Sequence, residues 1–246
     1  MLKGLAAGTL DLVVGTHSLL SEHVVTQTLG VVVIDEQHRF GVAQRALLRS
    51  KSLESTMPHM LLMTATPIPR TLTLSTFGHL ECSVLDEKPP GRLEARTQIL
   101  KGPKDRLKCY QALKRRIAAK EKAFVVCPLV SPSEVEGRGA WKNVETVYKE
   151  LAHWFGDNVV SVCHGQQSQD EREHQLQKFA EGESQILLAT TIIEVGVDMP
   201  DVNIMVIEDA NHFGLATLHQ LRGRVGRGAK PSECVLLAGG KLHEEG

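Results

Sequence analysis

The stretch Gly30–Arg45, GVVVIDEQHRFGVAQR, decides how the rest of the sequence is read. Its branched apolar residues Val31 to Ile34 run without a break into two adjacent acids, Asp35 and Glu36. An unbroken apolar run suits a parallel strand covered on both faces. Carboxylates do not sit in a core without partners, so the acids mark the strand's end. The loop beyond a strand's carboxyl end is where open α/β sheets place ligands. A solvated strand-to-loop turn is the bland alternative. The chemical reading is a division of labour, in which one carboxylate holds Mg²⁺ through its water shell and the next polarises a water that attacks a γ-phosphate.

Working outward, Asp11–Gly15 (DLVVG), Leu29–Asp35 and Met60–Thr64 (MLLMT) read as strands of a first α/β series. From Asp86 to Asp105 the pattern breaks, and Pro89, Pro90, Gly91, Gly102 and Pro103 suggest a linker. A second series follows: strands at Ala123–Val130, Val159–Cys163, Gln185–Thr190, Asn203–Ile207 and Cys234–Leu237, and helices at Trp141–Phe155, Gln169–Phe179 and Leu215–Val225. Ser131–Ala140 reads as an exposed loop. The coarse architecture is two α/β units joined by a flexible segment.

Composition sets the outer bounds. The chain has 246 residues, 42% hydrophobic, with a formal net charge of -1, which fits a globular protein and by itself says nothing about nucleic acid. The distribution says more: no acid lies between Ala210 and Ser232, where Arg222, Arg224, Arg227 and Lys230 fall. No apolar run reaches the roughly 18 residues of a membrane span, so no membrane association is expected. Nothing near Met1 reads as a signal peptide. The five scattered cysteines form no Cys-x-x-Cys, which argues against a zinc cluster or disulfide framework and for reduced thiols in a cytoplasmic protein.

The run Gly30–Arg45 resembles motif II of the RecG branch of superfamily 2 helicases, and further segments match in order. Gly15-Thr16-His17 resembles the family's Gly-Thr-His motif, implying that Thr16 and His17 meet the DNA backbone. Thr64 to Arg70 (TATPIPR) resembles motif III, so Thr64 and Thr66 would couple nucleotide state to DNA contacts, with Gln37 and His38 in the same coupling role. Pro89-Pro90-Gly91-Arg92 marks the exit to a second motor domain. Thr190 to Pro200 (TTIIEVGVDMP) resembles motif V, placing Thr190 and Thr191 on the DNA backbone and Asp198 at the nucleotide or bracing the motif. Gln220 to Arg227 (QLRGRVGR) resembles motif VI, whose arginines, here Arg224 and Arg227, point in the family across an interdomain cleft at the γ-phosphate, with Gln220 beside them. The residues agree: glycine is disfavoured inside a helix, so the glycines beside these arginines suggest close approach of the backbone to a partner surface, and arginine meets phosphate bidentately.

The resemblance implies an α/β fold of two RecA-like parallel-sheet domains, the first truncated at its N-terminus. Residues 1–88 would hold motifs Ib, II and III, 89–104 the linker, and 105–246 motifs IV, V and VI. It implies ATP and Mg²⁺ as cofactors and branched or double-stranded DNA as partner. The function would be an ATP-dependent remodelling of stalled forks and Holliday junctions in recombination and repair, by a protein expected to be a monomer. Two departures stand out. His164-Gly165-Gln166 replaces the family's His-Gly-Arg, which puts one cationic contact in doubt. No Gly-x-x-x-x-Gly-Lys-Ser/Thr phosphate loop occurs, and the family's wedge domain and C-terminal hairpin are likewise unmatched. The expectation is therefore an internal portion of such a motor, inactive by itself, with a complementary N-terminal fragment as a partner. A portion of the related transcription-repair coupling factor, and a non-catalytic DNA-binding remnant or accessory protein, remain as alternatives.

Overall fold

The computed structural model describes residues 2–21, 23–36, 58–64, 81–87, 93–129, 142–191, 199–228 and 230–239. The chain divides into two compact units, Met1–Glu81 and Cys82–Gly246, the division falling ahead of the expected boundary at residue 88. Among the described residues, no helix is long and apolar enough to cross a membrane.

In the first unit a short helix, α1 (Leu2–Ala6), precedes a 3-10 turn at His17–Leu20. Strand β1 (Val31–Ile34) then pairs in parallel with β2 (His59–Leu62), from Val31 opposite His59 to Ile34 opposite Leu62. Val32 and Ile34 pack inward against Leu29, Met60 and Leu62. Val31 and Val33 stay 62% and 56% exposed, so the expected cover on both faces is not met among the described residues. Asp11–Gly15 is also not a strand: Leu12 and Val14 are exposed and no ladder partner is described beside them. The β preference of Val reflects fit to a pleated, half-buried surface, and without a neighbour the segment stays extended coil.

The described residues of the second unit form six parallel strands: β3 (Arg96–Lys101), β4 (Lys122–Val126), β5 (Val160–Cys163), β6 (Ile186–Ala189), β7 (Val202–Ile207) and β8 (Glu233–Ala238). Their order across the sheet is β3-β8-β7-β4-β6-β5, parallel at every pairing. Alternate residues of β4 face opposite sides. Ala123 and Val125 meet α2 (Gly102–Ala118) and α3 (Val144–Phe155) through Tyr110, Leu113, Val147 and Leu151. Phe124 and Val126 meet α4 (Gln169–Glu181) and α5 (Leu215–Arg222) through Phe179 and Leu221. β7 is buried along its whole length, as a central parallel strand between two helix layers must be.

Of the segment expected as a linker over residues 89–104, residues 96–104 form a strand and the start of a helix instead. β3 pairs with β8 from Arg96 opposite Glu233 to Lys101 opposite Ala238, and α2 begins at Gly102 with Pro103 in its first turn. Proline is favoured there because the first turn needs no N–H donor, which proline lacks, and its fixed φ suits the helix. Cys109, Tyr110, Leu113 and Ile117 then form the buried stripe of α2, a helical spacing. The remaining second-unit elements lie within a few residues of expectation. α3 starts at Val144, where the Asn143 side chain accepts from Thr146 N–H and so fixes the N-terminus.

Candidate functional site

The first group lies at the carboxyl edge of the first unit's two-stranded sheet. Asp35 follows β1 directly, its Oδ1 accepting the Glu36 N–H at 2.8 Å. Glu36 sits at φ 50, an uncommon region for a residue with a Cβ, so the chain turns sharply at the second acid. The ladder continues one step past the strands, with Met63 N–H donating to the Ile34 carbonyl at 2.8 Å. By that register the segment Met63–Thr64 runs beside Asp35–Glu36. The acid pair and Thr64 therefore share one edge, as their motif order requires. Gln37, His38 and Thr66 lie outside the described residues. Thr16 opens the 3-10 turn, its Oγ1 3.2 Å from the Ser18 hydroxyl and its carbonyl accepting Leu19 N–H at 3.0 Å. It is exposed, and His17 begins the turn itself.

In the second unit the candidates divide between opposite edges of the sheet. Thr190 follows β6 and His164 follows β5, both at the carboxyl edge. There Thr191 is exposed, and the His164 N–H donates to Gln167 Oε1 at 2.9 Å. α5 leaves the carboxyl end of β7 and returns toward the amino end of β8. Gln220, in its last turn, and the following Arg224 and Arg227 thus belong to the amino edge. Contacts fix this placement: a Cβ on Gly226 would lie 2.4 Å from Ser232 Oγ, and one on Gly228 would lie 2.6 Å from the Pro200 carbonyl oxygen. Ser232 immediately precedes β8, and Pro200 lies two residues before β7. The glycines do serve close backbone approach, but the surface approached belongs to this same unit. Helix α5 also ends at Arg222, so Arg224 and Arg227 stand on a tight turn, where Arg227 Nε donates to the Gly223 carbonyl at 3.4 Å. Asp198 lies outside the described residues.

Sequence reasoning passed over a polar network at the carboxyl end of β7. Val206-Ile207-Glu208-Asp209 repeats the strand-then-acids pattern of Val33-Ile34-Asp35-Glu36. Yet Glu208 is 1% exposed and Asp35 is exposed. Arg106 of α2 donates to both Glu208 oxygens, at 3.0 Å from Nε and 2.8 Å from Nη2, and the Tyr110 hydroxyl donates to Glu208 as well. Arg106 also pairs with Glu150 of α3, which accepts Lys142 Nζ at 2.7 Å. Burial would raise the Glu150 carboxyl, but the hydrogen bonds from Lys142 and Arg106 outweigh it and hold the group below its ordinary range. Burial first, and Glu208 second, push the Tyr110 hydroxyl well above its usual range. This second acid pair is consumed by structure, whereas the first keeps Asp35 in solvent and Glu36 half-buried.

Comparison with known proteins matches these features. Residues 106–229 match the helicase conserved C-terminal domain family, and residues 1–74 match the DEAD/DEAH box helicase family. An ATP-dependent DNA helicase RecG of Thermotoga maritima is 44% identical over 239 residues, 96% of this chain and 30% of the relative. The protein of that name from Bacillus subtilis is 43% identical over 240 residues, 97% of this chain and 34% of the relative. The chain thus spans about a third of the length of the curated relatives it matches. A structure of RecG bound to a three-way DNA junction superposes with TM-score 0.71 at 39% identity, covering 99% of this chain and 30% of that one. A yeast Dbp5 structure, at TM-score 0.62 and 16% identity over 92% of this chain and 57% of that one, shares the fold alone. The fold is that of two RecA-like parallel-sheet domains. The matches favour RecG over the coupling-factor and remnant readings.

Proposed function

The chain belongs to the helicase conserved C-terminal domain family, and from that premise we propose that it forms the larger part of the motor of an ATP-dependent DNA helicase similar to RecG. The whole assembly would couple ATP hydrolysis to the remodelling of branched DNA in recombination and repair. The observation that carries the reading is the acid pair at the carboxyl edge of β1, Asp35 exposed and Glu36 half-buried, with Thr64 in register beside it.

Asp35 fits a magnesium site. One of its oxygens accepts the Glu36 N–H, the residue is exposed, and Mg²⁺ beside a nucleotide is held by one or two carboxylates while keeping several waters. When bound, the ion offsets charge on the β- and γ-phosphates. Glu36 would orient and polarise the attacking water, and Thr64 would sense that edge from β2. Gln220, Arg224 and Arg227 would supply donors to the phosphates, and Asp198 would meet the nucleotide or brace motif V. Thr16, His17, Thr190 and Thr191 would bind the DNA backbone, which suits a motor that reads phosphate and sugar rather than base edges. Gln37, His38 and Thr66 would relay between the nucleotide and DNA groups. The phosphate loop that these residues lack would come from a complementary N-terminal segment, since backbone amides and a lysine must cradle the β- and γ-phosphates.

Equilibrium binding to forked and linear duplexes tests the DNA half of this reading. Weak binding that falls with salt, shows no preference between unrelated sequences and weakens several-fold in the T190A/T191A protein is expected. Salt-independent binding, or strong discrimination between duplexes of equal shape, would contradict it.

A further inference from the structure

The outer face of α2 carries charge that no motif uses. Between Lys101 and Lys120 the cations are Lys101, Lys104, Arg106, Lys108, Lys114, Arg115, Arg116 and Lys120, against the single acid Asp105. The whole chain, by contrast, is nearly balanced at a net charge of -1. Two of these cations turn inward: Arg106 onto Glu208 and Glu150, and Arg116 onto Glu121 at 2.5 Å and Glu233 at 3.2 Å. The rest are exposed. At 100° per residue, Lys104, Lys108, Gln111 and Arg115 fall in one narrow stripe opposite the buried Cys109, Tyr110, Leu113 and Ile117. Among the described residues only Lys108 has an acid on it, Asp105 at 3.0 Å in an exposed pair, worth little in water.

An ordinary solvated helix face mixes both signs, and α4 in the same unit does so, with Asp170, Glu171, Arg172, Glu173, Lys178 and Glu181 interleaved. The α2 face does not. Its cations span about 16 Å along the helix at 1.5 Å per residue, a length over which a duplex presents on the order of ten phosphate charges. The flanking Lys101 extends the stripe toward the strand that feeds it.

We infer that the outer face of α2, centred on Lys104, Lys108 and Arg115, is a contact for the phosphate backbone of duplex nucleic acid, additional to Thr190 and Thr191. The inference rests on the reading of the chain as part of a DNA motor. It concerns affinity and not sequence choice, because lysines on a convex helix face meet phosphates as point charges.

The test compares wild type with K104Q/K108Q/R115Q, all solvent-exposed positions, by anisotropy on a labelled duplex across a salt series. Loss of three phosphate contacts lowers the magnitude of the log–log salt slope by about 2.7 and the affinity on the order of 10²-fold at low salt. Lysine acetylation read by mass spectrometry on the unsubstituted chain locates the contact: the duplex protects Lys104 and Lys108 but not Lys149 of α3. If wild type binds and the variant keeps both affinity and slope, with Lys104 and Lys108 unprotected, the inference falls while the functional reading stands. If wild type binds no duplex, both fall. Protection by polyglutamate but not by duplex assigns the face to an acidic protein and overturns the inference.

Discussion

Removing the Glu208 carboxylate separates the two strand-terminal acid pairs most sharply. In E208A the Arg106 guanidinium loses three donor contacts to a residue that is 1% exposed, and the buried Tyr110 hydroxyl loses its acceptor. Breaking a fully buried ion pair costs about 3–5 kcal/mol because a charge is left uncompensated. Here Arg106 keeps Glu150 and its side chain is 25% exposed, so the lower end, about 3 kcal/mol, applies. For a unit of this size each kcal/mol moves Tm by roughly 2–4 °C, which gives a drop of roughly 6–12 °C. The assay is thermal unfolding followed by circular dichroism, with D35N as the contrast. Asp35 is exposed, so D35N moves Tm within the roughly 0.5 kcal/mol of a surface change. R106M/E208L recovers much of the loss, since apolar replacement of a buried pair is often neutral. A drop below about 1 kcal/mol in E208A, or a larger one in D35N, would refute the assignment of structural and chemical roles to the two pairs.

Other outcomes follow from the same geometry. Amides of β4 and β6, in strands that are fully buried or nearly so, exchange far more slowly than those of Asp11–Gly15, and equal protection would contradict the coil assignment. Thiol titration of the native chain finds Cys82 reacting first, because burial pushes Cys109 and Cys234 up to about 12 and Cys82 is the exposed thiol. G228A drives a Cβ toward the Pro200 carbonyl and costs about 1–3 kcal/mol; an unchanged Tm would mean that the motif VI loop is not seated as described. Glu150 is held below its ordinary carboxylate value of 4.5, so its contribution is present above that pH and lost as pH falls through the lowered folded value. The acid-side decline in Tm is accordingly shallower in E150Q.

The inner strands of the second sheet, β4, β6 and β7, were legible because they are apolar runs that two helix layers bury almost completely. Val202–Ile207 could hardly be anything else. β3 and α2 were missed because Gly102 and Pro103 look the same in a linker as in a helix start. The alternation of Cys109, Tyr110, Leu113 and Ile117 was the signal that distinguished them. Asp11–Gly15 misled in the other direction, since β preference says nothing about whether a neighbouring strand exists. The glycines of motif VI announced a close approach, but their partners, Ser232 and Pro200, are fixed only by the fold. The separation of Thr190 and Thr191 from Arg224 and Arg227 onto opposite edges comes from the parallel crossover at α5, which no local spacing encodes. Likewise nothing local distinguishes Ile-Asp-Glu from Ile-Glu-Asp. Arg106, far off in sequence, is what draws Glu208 out of water.

The central claim is that these residues are a motor's hydrolytic and coupling groups awaiting a phosphate cradle, and steady-state ATPase on forked DNA tests it most directly. The purified chain alone should turn over little or no ATP, because phosphoryl transfer depends on positioning and charge stabilisation of a phosphate already held in line. Mixed with a segment bearing Gly-x-x-x-x-Gly-Lys-Ser/Thr, it should gain DNA-stimulated turnover that disappears in E36Q and in R227A. DNA-stimulated turnover by the chain alone, lost in E36Q, would contradict the account, as would a reconstituted activity indifferent to both substitutions.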